Sequence, residues 1–129
     1  MLVLDASALA TWVMPDETVL DLAALSARHD VLPAPGLLWA VIRNTLIVAE
    51  RRDRIDHETV DMAFAAIDEL SIVLGRSPSS SAVIALCHRH GLMVYDALTL
   101  DLALREDAEL ATFDAAHAHA ARSEGVRVA

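Results

Sequence analysis

Three short apolar runs along the chain end in an aspartate: Leu2-Val3-Leu4-Asp5, Leu92-Met93-Val94-Tyr95-Asp96 and Leu110-Ala111-Thr112-Phe113-Asp114. Continuous apolar runs of this length suit strands covered on both faces of a parallel sheet. Between them the apolar positions change to helical spacing. Ala8 to Val13 reads as a short helical turn closed before Pro15. Asp16 and Glu17 open a helix to about Arg28. Val31-Leu32 is a short strand, and Pro33-Ala34-Pro35-Gly36 forces a turn. The longest helix runs from Gly36 to about Arg52, with Leu38, Val41, Ile42, Thr45 and Ala49 on one face. Asp56 caps a second helix to about Leu70, which folds back on the first. Ser71 to Leu74 is a strand, and Ser77-Pro78 starts a helix that Gly91 stops. Helices follow from about Ala97 to Glu106 and from Ala115 to Ser123, and Val126-Arg127-Val128 is a last short strand. Strands alternating with helices predict one α/β domain over residues 1–129, a parallel sheet layered by helices.

In such a sheet all carboxyl ends of the strands share one edge, where open α/β folds place their ligands. Asp5, Asp96 and Asp114 would meet there. Each alone is explained as a helix cap. Together they repel one another and raise one another's pKa values, a cost that a cation removes. Hard oxygen ligands suit Mg2+ or Mn2+. An ion of this kind, keeping open positions, can activate water and hold phosphate oxygens.

Composition narrows the classes. The net charge is −9, and all ten basic residues are arginines. An acidic chain is a poor general nucleic-acid binder, so any such contact needs a local arginine patch or a metal. The absence of lysine excludes lysine-dependent phosphotransfer and Schiff-base sites, and no phosphate-binding or dinucleotide glycine motif is present. A single cysteine, Cys87, excludes an internal disulfide and fits core packing in a reducing compartment. No basic, apolar leader and no spanning segment is evident, so a cytoplasmic protein is expected, with no membrane partner. Apolar residues make up 55% of the chain, which predicts a buried oligomer or partner surface.

Val3-Leu4-Asp5-Ala6-Ser7, Trp39 with Asn44-Thr45-Leu46, Val94-Tyr95-Asp96-Ala97 and Leu110-Ala111-Thr112-Phe113-Asp114 resemble, in order and spacing, the PIN-domain family. The match is to its VapC-type ribonuclease toxins of toxin–antitoxin pairs, and it covers nearly the whole chain. The resemblance implies a three-layer α/β/α fold with a parallel, roughly five-stranded sheet. It also implies a Mg2+-dependent endoribonuclease site, a homodimer and a VapB-type antitoxin partner. The family's metal ligands fall on Asp5, Asp96 and Asp114, and its supporting polar residues on Ser7, Asn44 and Thr112. One position departs. The family carries a glutamate three residues before the helical asparagine, and here Val41 stands in its place. Valine neither holds metal-bound water nor accepts a proton. Asp101, a turn and a half beyond Asp96, is poorly placed to substitute.

Other residues have plainer readings. His88 and His90, like His117 and His119, are two apart, a spacing that sends side chains to different helix faces and argues against a zinc pair. Trp12 and Trp39 read as packing residues or interface contacts. Arg51, Arg52 and Arg54 read as a solvated helix end or a phosphate contact. The leading expectation is a metal-dependent ribonuclease acting on RNA. The alternative is the same fold with a weakened site, binding antitoxin or RNA without turnover. A phosphatase of another α/β type fits less well, since residue 7 is not an acid.

Overall fold

Strand β1 (Leu2–Leu4) is the hinge between two cores. Its side chains alternate: Leu2 and Leu4 pack into one apolar cluster and Val3 into the other. That alternation is the two-residue period of a strand, and it places helices on both faces. The computed structural model describes residues 1–14, 24 and 27–129. The helix expected from Asp16 to about Arg28 lies largely outside them.

After β1 come α1 (Ala6–Val13), β2 (Leu32–Ala34), α2 (Leu38–Arg51), α3 (His57–Glu69) and β3 (Ile72–Leu74). The second half holds α4 (Ser80–His90), α5 (Val94–Arg105), β4 (Glu109–Ala111) and α6 (Ala115–Ser123). Helices α1, α2 and α3 cover the face of Leu2 and Leu4, through Leu9, Ile42, Leu46 and Ile67. Helices α4, α5 and α6 cover the face of Val3, through Leu86, Leu100 and Ala121, with Cys87 packed at the margin. Helices α2 and α3 form the expected hairpin, and Asp56 caps α3 by accepting from the Thr59 amide at 2.8 Å.

All strand pairing is parallel. β1 pairs with β4, and β2 with β3, while Val128 bridges to Leu110 beyond β4. Among the described residues the sheet of about five strands is therefore present as two hydrogen-bonded pairs, with β1 lying beside β2. Pro33 gives the physical reason. Leu32 donates to Ser71, and Ala34 accepts from Gly75, on the β3 side. Alternate residues of a parallel strand face opposite neighbours, so residue 33 is the one turned to β1, and proline has no N–H to give it. The strand reading also extends through Pro33 and Ala34, where a turn was expected.

Two further expectations change. Leu92 to Tyr95 is not a strand: α5 already begins at Val94, and Met93, Val94 and Tyr95 are exposed. Burial follows Ala97, Leu100 and Ala103, the spacing of a helix, so packing overrides the local β-propensity of the run. Ser79, not Ser77, caps α4, accepting from the Ala82 amide, and Pro78 stands before the helix. Among the described residues no helix is long and apolar enough to cross a membrane.

The revised start of α5 is testable. Tyr95, 61% exposed, should tolerate Tyr95→Ala with less than about 0.5 kcal/mol of change in unfolding free energy. Leu100→Ala, at a fully buried position on the same helix, should cost about 2–5 kcal/mol. Denaturant unfolding of both variants checks the contrast; equal losses would restore the strand.

Candidate metal centre

Asp5 follows β1 directly and caps α1, so the strand-to-helix joint fixes its position. The residue is almost wholly buried, and four donors surround its carboxylate. Oδ1 accepts from Ser7 Oγ at 2.6 Å and from the Ala8 amide at 2.9 Å. Oδ2 accepts from the Thr112 hydroxyl and stands 3.0 Å from His117 Nδ1. Ser7 also binds the opposite joint, its Oγ accepting from the Phe113 amide, and Thr112 Oγ1 accepts from the Asp114 amide within its own joint. The ends of β1 and β4 are thereby stitched together around one carboxylate.

Asp96 reaches this place from the first turn of α5, not from a strand end. A carboxylate there suits the positive end of the helix dipole. Its Oδ1 lies 3.8 Å from His117 Nδ1. Asp5, Asp96 and His117 each offer one ligand atom, all within 4.8 Å of one another. Asp114 caps α6 through the His117 amide and is exposed. It stands close enough to raise the Asp96 pKa but outside that triplet.

Val41 lines the cleft beside Asp5 and Asp96, with Tyr95 and Thr99 as further walls. The departed glutamate position therefore does face the acids. The cleft holds about 50 Å³, room for a few waters or a partly hydrated ion. Asn44 is exposed and lines a neighbouring cleft with Trp39 and Phe64. Among the described residues no hydrogen bond links it to the acids. Asp101 is buried in a pair with Arg105 at 2.7 Å and does not replace the missing acid.

The two carboxylates titrate in opposite directions. Burial raises the Asp5 pKa, but hydrogen bonds from His117, Ser7, Thr112 and Ala8 outweigh it and hold the group below its ordinary value. Burial raises the Asp96 pKa, Asp114 and Asp5 push the same way, and His117 opposes them. Among the described residues no arginine pairs with Asp5 or Asp96. A cation between the two acids would relieve both, and the oxygen-rich donor set fits one.

His117 is the residue that sequence reasoning passed over. It was weighed only against His119, two positions on. Asp114, three positions back, caps its backbone amide, while the ring itself meets Asp5. The ring is fully buried, with Nε2 left unpartnered.

No family model matches the chain, and no curated protein matches it by sequence. Two solved structures match throughout. PAE2754 from Pyrobaculum aerophilum is 19% identical with a TM-score of 0.72, over 98% of this chain and 89% of that one. FitAcB from Neisseria gonorrhoeae is 15% identical with a TM-score of 0.69, over 99% and 96%. This chain shares their fold, a PIN-like mixed α/β arrangement.

The hydrogen bonding at Asp5 predicts a pH signature. With its folded-state pKa below the ordinary 3.8, ionised Asp5 stabilises the fold fully above that value, and this is lost as pH falls through the lower folded pKa. Asp5→Asn should flatten the acid limb of the stability curve below about pH 4. Urea unfolding at stepped pH measures it; an unchanged limb would show that these bonds do not favour the ionised form.

Proposed function

We propose that the protein is a metal-dependent endoribonuclease of the toxin kind, with its centre at Asp5 and Asp96. The observation that carries this reading is the convergence of those two acids, which line a small cleft, with the buried His117 behind them on a PIN-like fold. Asp5 and Asp96 would hold Mg2+ or Mn2+, with Asp114 close by. When bound, the ion polarises a phosphodiester and makes its water more acidic.

The remaining work falls to the chain itself. Ser7 and Thr112 fix the Asp5 carboxylate, so that the site needs little reorganisation when phosphate arrives. Tyr95 stands exposed at the cleft rim, where its ring can stack on a base of single-stranded RNA. Val41 leaves one wall of the cleft without an acid, so turnover should be slow.

That same valine favours a second reading, a fold that binds antitoxin or RNA without cleaving it. In either case a VapB-type partner has a surface to occupy. An apolar pocket of about 130 Å³ lies between Leu9, Trp39, Ile67 and Leu74, and Trp39 is 56% exposed beside it. The Arg43 guanidinium lies 4.1 Å from the Trp39 ring centroid and pairs with Asp68 at 2.7 Å. Ile84 and Met93, exposed on the opposite layer, offer a face for a second copy of the chain.

Purified protein with structured RNA and Mg2+ or Mn2+ should release discrete fragments, and Asp5→Asn should reduce the rate at least about a hundredfold. Cleavage that survives Asp5→Asn refutes the assignment. Val41→Glu should raise the rate tenfold or more, on the scale of an added acid–base group. A silent parent and an active Val41→Glu variant would establish the binding-only reading.

A further inference from the structure

The imidazole of His117 bears on which ion the centre takes, an inference that rests on the metal-centre reading above. The four donors around Asp5 occupy about all the lone pairs a carboxylate has. An ion shared by Asp5 and Asp96 must therefore take the place of one donor. Ser7 and Ala8 bind the other oxygen, and Thr112 is engaged with the Asp114 amide. His117 Nδ1 is the donor that lies between the two acids, 3.0 Å from one and 3.8 Å from the other.

The ring need not leave for the ion to enter. Two neighbouring ligands at about 2.1 Å from an octahedral ion are themselves about 3.0 Å apart. The spacing of a hydrogen bond here is also the spacing of a ligand pair. With its hydrogen on Nε2, the same Nδ1 atom becomes a lone-pair donor. The Asp5 carboxylate favours the hydrogen on Nδ1, but Nε2, buried without a partner, has no hydrogen bond to lose when the hydrogen moves to it.

We propose that His117 Nδ1 is the third protein ligand, giving an Asp5–Asp96–His117 set that selects ions such as Mn2+ and Co2+ over Mg2+. Imidazole nitrogen binds borderline Co2+ well and the harder Mn2+ more weakly, whereas Mg2+ keeps to oxygen and sheds water reluctantly. Asp114, directed to its capping bond, then shapes the field at Asp96 without joining the set. With no outer partner at Nε2 to orient the ring, selectivity rather than high affinity is the expected mark.

Pulsed EPR of Mn2+ bound to the full chain should show the coupling of a directly bound imidazole nitrogen. His117→Asn, whose amide can still donate to Asp5, should abolish it. Calorimetry should find Co2+ bound at least about tenfold more tightly than Mg2+, with the ratio falling several-fold in His117→Asn. Absence of nitrogen coupling in the unaltered protein overturns the proposal, as does coupling that survives the substitution. Neither measurement needs RNA. Nitrogen-bound Mn2+ with uncut RNA would uphold the ligand and refute the nuclease; cut RNA with an all-oxygen ion would do the reverse.

Discussion

The saturated carboxylate of Asp5 is the constraint on which the rest of this structure depends. A buried charge is tolerated only when its lone pairs are filled. Here the donors come from three places: the start of α1, the end of β4 and the first turn of α6. Filling one carboxylate therefore fixes how two strand-to-helix joints meet. The cleft, its second acid and its imidazole are arranged around that requirement.

Much of this was legible in the chain. The run from Leu2 to Asp5 announced a buried strand with an acid at its carboxyl end, and Ser7 and Thr112 lie beside that acid. The continuous apolar runs and the alternation of strands with helices gave the layers. Asp96 came to the right place by a different route. Leu92 to Tyr95 has the composition of a strand, yet a strand needs a neighbour to pair with, and Met93, Val94 and Tyr95 are turned to solvent. Propensity could not reveal that, because it is decided by what lies next to the segment.

His117 and Pro33 were missed for a related reason. Each acts through a group distant in sequence: Asp5 for the histidine, β1 for the proline. A pairwise search among histidines cannot find a histidine whose partner is an aspartate in the first strand. The cap at Asp114 was the available clue, since it fixes which side of α6 faces the cleft. Asn44 shows the opposite case: it sits where the motif order puts it in the chain, but in a neighbouring cleft.

β1 has only three residues, and both apolar layers close upon it. Neither layer can loosen without exposing a side chain of that strand. Local opening should therefore not spread through one half of the molecule alone; loss of either layer releases the backbone that carries Asp5. An ion held at Asp5 would thus report global integrity: its occupancy would resist melting of regions it never touches.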